Sequence, residues 1–248
     1  MNFRFAAGVL GALFSLFSAG FAQGQVVLYD PASRESGPVR SESDERFVKD
    51  RLAPKAREIW SGDKHCDSSN LNVIGSADGS FTRAGASQQA VVYEYCQTGN
   101  GFAYNGIAVV ERGRVVTHFA VEGGWNFGVS RVPDLNQNGR DEIAIETGGG
   151  MHQGYTGSSV TVLELTETAA KELGVFLVYT NECENPVADK FCDRNYRLTA
   201  TPATKPAFFR QKYVNRGTEE KPRWAASGKP AAAKRIGDLS TKYELIKQ

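Results

Sequence analysis

Residues 106–121 read GIAVVERGRVVTHFAV, two runs of apolar and β-branched residues on either side of Arg112-Gly113. Valine, isoleucine, threonine and aromatic residues favour extended strands, and a two-residue connection ending in glycine suits the turn of a β-hairpin. The stretch therefore predicts antiparallel strands over residues 106–111 and 114–121, joined by a tight turn.

Runs of the same kind recur at short spacing on both sides of this hairpin. We predict further strands over residues 89–95, 143–147, 159–165, 175–180, 196–200, 208–214 and 243–246. Few helical patterns separate them, so the predicted fold class is mainly β, an antiparallel sheet protein built as a partial propeller, a sandwich or a barrel. A full propeller needs at least four blades of about 40–50 residues with a visible repeat, and the sequence shows no such period.

One N-terminal helix is predicted over residues 41–60. Ser41 followed by Asp44 resembles a capping box at its start. Pro54 should kink or split the helix, because its ring opposes the carbonyl of Asp50. The residues that can share an apolar face are Phe47, Leu52, Ala56 and Ile59.

Residues 1–22 have the organisation of a signal peptide. Arg4 makes the first segment positive, residues 6–17 are uncharged and mostly apolar, and Gly20 and Ala22 are small residues at the cleavage-site positions. We expect cleavage before Gln23; the alternative is an uncleaved anchor. No other apolar run is long enough to cross a bilayer, so no transmembrane segment is expected in the mature chain. The exported product would be periplasmic or extracellular.

The rest of the chain divides into two parts. Residues 23–60 are expected to form an extended, partly mobile lead-in and the helix, and residues 61–248 a β-rich domain. Within that domain, residues 217–237 are rich in Lys, Pro, Ala and Gly and predict a loop or linker to the last strand. A mature chain of this length is ample for one sizeable core.

The four cysteines agree with export, because an even number in an exported chain predicts two disulfides. None of them forms a CxxC pair, which disfavours a zinc knuckle or a redox motif. Three connectivities are possible, and we expect the sequence neighbours to pair, Cys66 with Cys96 and Cys183 with Cys192.

The charges balance overall but are unevenly distributed. Without Arg4 the chain has 28 basic and 28 acidic side chains. Residues 141–193 hold ten acids and two lysines, whereas residues 205–235 hold nine bases and two acids. Solvated strand faces that partly neutralise each other explain this pattern; the alternative is a basic face for an anionic envelope polymer. Because the chain is exported and neutral, no nucleic-acid partner is expected.

Residues 134–142 read DLNQNGRDE, with oxygen-bearing side chains at the first, third, fifth and ninth positions and Gly139 at the sixth. Alternate side chains of such a loop point inward, glycine allows the sharp turn, and the ninth residue closes the ligand shell. We predict one Ca²⁺ of modest affinity, since only two of the ligands carry negative charge. The alternative is a polar Asn-Gly turn without metal. The predicted ligands are Asp134, Asn136, Asn138, the backbone carbonyl of Arg140, and Glu142.

Residues 133–145, PDLNQNGRDEIAI, resemble the loop-strand core of FG-GAP and VCBS-type repeats. Those repeats are calcium-binding blades of extracellular bacterial proteins and integrin-like propellers. The family has aspartate where this chain has Asn136 and Asn138, and usually aspartate in place of Glu142. The resemblance covers one repeat, with no second copy, and implies a strand pair around a calcium loop without implying catalysis.

Residues 148–157, GGGMHQGYTG, follow the next strand, and their glycines permit close backbone approach to a ligand or to another strand. His152 lies in this segment near Glu146, so the two are the candidates for an acid–base pair. His118 is expected to be an ordinary packed strand residue and His65 a surface loop residue. The three histidines lack zinc-binding spacing. Trp125 is either a sugar-stacking residue or a core or turn aromatic.

These observations favour a non-enzymatic, exported binding or adhesion-type module for an envelope or extracellular ligand that the sequence does not identify. Its cation would stiffen the 134–142 loop and fix the approach of residues 148–157. The alternatives are a secreted hydrolase that uses Glu146 and His152, and a purely structural envelope protein.

Overall fold

The computed structural model describes residues 24–33, 41–60, 66, 71–150, 154–184, 192–218, 221–236 and 241–247. The predicted signal peptide lies outside these residues. The helical elements are α1 (Glu42–Phe47), a π-helical segment (Val48–Leu52) and α2 (Ala53–Trp60). The strands are β1 (Val26–Tyr29), β2 (Asn72–Gly79), β3 (Gln88–Gly99), β4 (Phe102–Glu111), β5 (Arg114–Gly123), β6 (Trp125–Val132), β7 (Glu142–Gly148), β8 (Thr156–Leu165), β9 (Ala170–Asn181), β10 (Asp193–Thr201), β11 (Ala207–Asn215), β12 (Trp224–Ala226), β13 (Ala231–Ala232) and β14 (Tyr243–Leu245).

The strands form two antiparallel sheets, which confirms the predicted fold class. The larger sheet has the order β12-β11-β10-β9-β8-β7-β6, with β1 added to β10 and β13 added to β11. The smaller sheet has the order β14-β5-β4-β3-β2. The larger sheet curls into a half barrel, because residues of β8, β10 and β11 meet around one apolar cluster.

The main core lies between the two sheets. Ile107 and Phe119 of the smaller sheet pack in one buried cluster with Ile143 and Leu163 of the larger sheet. Alternate residues of each strand point to the same face, so each sheet supplies every second side chain to this layer.

The helix covers the outer face of the smaller sheet. Val48, Leu52 and Ala56 are fully buried in a cluster with residues of β3, β4 and β5. At the helix start, the backbone N–H of Asp44 donates to the Ser41 hydroxyl at 3.1 Å, which confirms the predicted cap. The helical run 42–60 is continuous, and the kink or split expected at Pro54 takes the form of the π-helical segment just before it, since the proline ring cannot fit against a regular preceding turn. Neither described helix has the length and apolarity needed to cross a bilayer.

The central hairpin and both disulfides follow the predictions. Arg112 and Gly113 have φ of 49° and 73°, the left-handed pair that matches the twist of two strands joined by a two-residue turn. Cys66 is bonded to Cys96, and Cys183 to Cys192. Two disulfides indicate a non-reducing, exported environment.

Several elements were not predicted. The β2 sequence NVIGSADG contains glycine, serine and aspartate, and it is extended because it pairs along its length with β3. The β6 strand contains Gly128 and is paired with β7 in the same way. The lead-in was predicted as extended and partly mobile; within it, β1 is extended and pairs with β10, a partner that the sequence did not identify. The predicted 217–237 loop contains β12 and β13, two short edge strands on β11.

We expect Gly106→Ala to destabilise the fold by about 1–3 kcal/mol, the usual cost of overpacking. A Cβ at Gly106 would overlap the ring of Tyr93, which is fully buried on the neighbouring strand. Gly128→Ala is the matched control, because its Cβ position has no described atom within 4 Å apart from its own residue and chain neighbours. Urea denaturation measures both variants; equal midpoints would contradict the predicted overlap.

Candidate metal loop

The 134–142 loop connects β6 to β7 and is anchored to the core by the side chain of Leu135. This side chain is fully buried in the apolar cluster inside the half barrel. Its carbonyl accepts a hydrogen bond from the backbone N–H of Ala203 at 2.9 Å, and its own N–H donates to Glu142 Oε2 at 2.8 Å. The second residue of the loop therefore belongs to the core, while the polar residues around it remain at the surface.

Asp134 holds the turn of the loop. Its two carboxylate oxygens accept the backbone N–H groups of Asn138 and Gly139 at 2.9 Å and 2.7 Å. Gly139 has φ of 83° and Gln137 has φ of 60°, so the chain passes twice through the left-handed region. The glycine thus occupies the tight turn that the sequence predicts for it.

Glu164 of β8 is the acidic residue that the sequence analysis missed. The side-chain amides of Asn136 and Asn138 donate to its carboxylate at 3.1 Å and 2.8 Å, and the Arg140 guanidinium forms an ion pair with it. The pairing of β7 with β8 brings Glu164 to the loop from 24 residues away. The only sequence signal is an acidic residue near the end of a strand, which is too common to identify a ligand.

Glu142 carries the least compensated charge of the loop. Its side chain is fully buried; Oε2 accepts the Leu135 N–H, and Oε1 has no hydrogen-bond partner among the described residues. Burial is the largest cause that raises the pKa of Glu142, and Asp134 and Glu164 add to it, bringing the pKa to about 7. A buried carboxylate oxygen without a partner is destabilising unless a cation, a donor or a proton satisfies it.

Asp141 is adjacent in sequence but interacts elsewhere. Its carboxylate accepts the backbone N–H of Ser80 at 2.8 Å and forms an ion pair with Arg131 at 3.0 Å. Both its oxygens therefore have partners outside the 134–142 loop. Asp141 links the loop to the end of β2 and provides a carboxylate control for experiments on Asp134 and Glu142.

The predicted ligands thus lie together, but not as a dense acidic cluster. Among the described residues, no group of three or more Asp, Glu, His and Cys side chains could hold a metal ion. A cation here would need the amide oxygens of Asn136 and Asn138 and the Arg140 carbonyl beside Asp134 and Glu142. The amide oxygens now accept backbone N–H groups within the loop. The chemistry of this donor set, hard oxygen with few charges, fits Ca²⁺ rather than a soft metal.

The glycine-rich segment lies at the other end of β7. Glu142 begins the strand and Gly148 ends it, so about 20 Å separates them at about 3.3 Å per residue. At that separation a cation in the loop would act on residues 148–157 through β7 and not by direct contact, and the expectation that it fixes their approach stays a prediction. The glycines instead allow other residues to pack closely against the backbone. A Cβ at Gly150 would overlap Asn100, and one at Gly148 would overlap the Phe127 ring.

The remaining candidates do not form a catalytic group in the part of the chain that is described. His118 is fully buried and lies 2.7 Å from the Tyr93 hydroxyl, as expected for a packed histidine. Glu146 accepts a hydrogen bond from Ser158 at 3.2 Å. Its proposed partner His152, and also His65, lie outside the described residues. Trp125 begins β6 opposite Gly148 and is half-buried within the sheet.

Comparisons of this chain with protein-family models, with curated proteins and with solved structures returned no match.

Proposed function

We propose that this protein is an exported, disulfide-bonded binding or adhesion-type module in which the 134–142 loop binds one calcium ion. The observation that carries the proposal is the buried Oε1 of Glu142, which lacks a partner among the described residues at the ninth position of the loop. The loop resemblance to FG-GAP and VCBS-type repeats supports the same assignment.

The charges around the loop also favour a divalent cation. The charges of Asp134 and Glu164 both help to raise the pKa of Glu142, after burial as the largest cause, and Arg140 is ion-paired with Glu164. A bound Ca²⁺ would offset the charges of Asp134 and Glu142, which have no such ion pair among the described residues. Because the amide oxygens of the loop already accept backbone hydrogen bonds, the ion must compete with those bonds. We therefore expect a dissociation constant of about 10⁻⁴ to 10⁻³ M, as in extracellular modules.

The calcium would act structurally in this module. The loop joins β6 to β7 and is attached through Leu135 to the half-barrel core and through Asp141 to the end of β2. A cation that closes the loop would therefore hold both sheets at this edge, which suits a protein that must keep its shape outside the cell. It supplies no chemistry to the site beyond this charge neutralisation and stiffening.

Thermal unfolding in calcium, in magnesium and in chelator tests the proposal. With about 5 mM calcium, mass action predicts about 1–2 kcal/mol of added stability and a midpoint several degrees higher. Magnesium should give less, because it demands a stricter octahedral shell. Asp134→Ala and Glu142→Gln should each abolish the calcium-dependent rise, since each removes one of the two charged ligands.

Asp141→Asn is the matched control. It removes a carboxylate from the same loop, one that faces Arg131 and Ser80. We expect it to lower the midpoint in chelator while keeping the calcium-dependent rise. A calcium response that is missing in the wild type, or that survives in both Asp134→Ala and Glu142→Gln, would overturn the metal assignment.

A further inference from the structure

A cavity of about 670 Å³ opens between the two sheets, at the end of the core opposite the 134–142 loop. Ile107 and Val121 from the smaller sheet and Ile145 from the larger sheet belong both to its wall and to the apolar core. The volume lies within the range of about 300–1,000 Å³ that small-molecule sites occupy. The cavity is thus an unfilled continuation of the inter-sheet core.

The cavity wall changes from apolar to polar along several strands. On β7 the inward residues run from Ile143 and Ile145 in the core to Thr147 in the cavity. On β8 they run from Leu163 to Thr161, with Ser159 further on. An apolar floor below a rim of hydroxyl and amide groups is the surface that an amphipathic molecule would match.

Asn105 is the most informative residue of the wall. It is 2% exposed, and its side-chain amide donates to the carbonyls of Ala103 at 3.3 Å and Gly124 at 3.1 Å. These two acceptors fix the orientation of the amide, because the reverse orientation would place Oδ1 against two carbonyl oxygens. Oδ1 therefore remains as a buried acceptor without a partner among the described residues. Asn105 belongs to the cavity wall with this oxygen covered, so a ligand must displace neighbouring atoms to bring an O–H or N–H group to it.

The charges and the entrance narrow the ligand class further. Among the described residues, the charged side chains that line the cavity are Glu122 and Lys242, one of each sign and both exposed. The described part of the wall therefore carries no net charge. Phe102, which is 58% exposed, lies at the entrance and provides an apolar lip. The turn before it is fixed by the close approach of Gly101 to Gly149.

We propose that this cavity binds a small, neutral, amphipathic molecule, with its apolar body against Ile107, Val121 and Ile145 and an O–H or N–H donor on Asn105 Oδ1. The proposal rests on the binding role of the module and is independent of calcium, because the cavity and the 134–142 loop lie at opposite ends of β7.

The first experiment titrates the full chain with N-phenyl-1-naphthylamine, a neutral fluorescent probe with an apolar body and one N–H. We expect saturable binding of one probe per chain, in calcium and in chelator alike. Thr161→Phe fills the cavity with a strand-compatible side chain and should weaken binding at least tenfold. Ser130→Phe adds the same ring at an exposed position of β6 and should leave binding unchanged.

The second experiment tests Asn105 by competition between 1-decanol and decyl methyl ether, in which a methyl group replaces the hydroxyl hydrogen. We expect the wild type to favour decanol over the ether by a factor about 3–10 greater than Asn105→Leu does, as for one net hydrogen bond. The comparison is a ratio within each protein, so a general loss of stability does not imitate it.

Two results would overturn the proposal. One is absence of saturable probe binding by the folded wild type; the other is binding that Thr161→Phe leaves intact, which would place the probe elsewhere. Equal ratios in the wild type and Asn105→Leu would remove the role of Asn105. If the probe binds in chelator but calcium does not raise the melting midpoint, the metal proposal fails and the cavity proposal stands.

Discussion

Between pH 7 and pH 4, the free energy of unfolding of the wild-type protein is expected to fall by about 3 kcal/mol more than that of the His118→Gln variant. His118 is fully buried on the helix-covered face of the smaller sheet, within hydrogen-bond distance of Tyr93. Burial lowers the pKa of this imidazole to about 4 from its ordinary 6.5.

The sign of the effect follows from proton binding. Between about pH 6.5 and pH 4 the unfolded chain protonates His118 and the folded chain does not, so acid draws the equilibrium towards unfolding. The contribution of His118 is fully present above pH 6.5 and is lost as the pH falls through this window. The raised pKa of Glu142 acts in the opposite direction, since its proton stabilises the folded state below pH 7. The two effects overlap, so the comparison must be between variants at each pH.

Urea denaturation at half-unit steps from pH 7 to pH 4, in chelator, measures this difference. Tyr93→Phe is the control: it removes the hydroxyl that faces the imidazole but keeps the ring buried, so stability should fall at every pH while the acid dependence remains. Parallel pH profiles for the wild type and His118→Gln would show that the folded and unfolded chains protonate His118 with the same pKa and would contradict the prediction.

The sequence predicted those parts of the fold that depend on neighbouring residues. The hairpin at Arg112-Gly113, the cap at Ser41 and the irregular helical turn before Pro54 each follow from the geometry of a few adjacent residues, and the structure shows all three. The pairing of Cys66 with Cys96 also followed, because the count left few choices. The β2 strand was missed, since its glycine, serine and aspartate are extended only through pairing with β3.

The contents of the candidate sites were less predictable, because they depend on contacts between distant strands. Asp134 and Glu142 could be selected from their spacing, but Glu164 reaches them through the register of β7 and β8. The unpartnered oxygen of Asn105 depends on two carbonyls that only the folded chain supplies. A sequence pattern gives the type of side chain at a position, whereas the number of its partners is a property of the tertiary structure.

Leu135→Ala is expected to reduce the unfolding free energy by about 2–5 kcal/mol, the range for truncating a fully buried leucine. Although it is the second residue of a surface loop, Leu135 packs in the half-barrel core, and its backbone bonds to Glu142 and Ala203. Leu135→Met is the matched control and should cost less than about 1.5 kcal/mol, because it nearly conserves volume. Urea denaturation in chelator measures both variants.

Hydrogen exchange then shows what this side chain does for the loop. The amides of Asn138 and Gly139 donate to Asp134, so they should be protected in the wild type and in Leu135→Met. In Leu135→Ala they should exchange faster than the global loss of stability explains, because the cavity frees the loop from its anchor. Unchanged protection would mean that the Asp134 turn stands without the core. Faster exchange would mean that the same leucine supports both the half barrel and the arrangement of the proposed calcium ligands. The core would then preform the loop, although its ligands carry little charge.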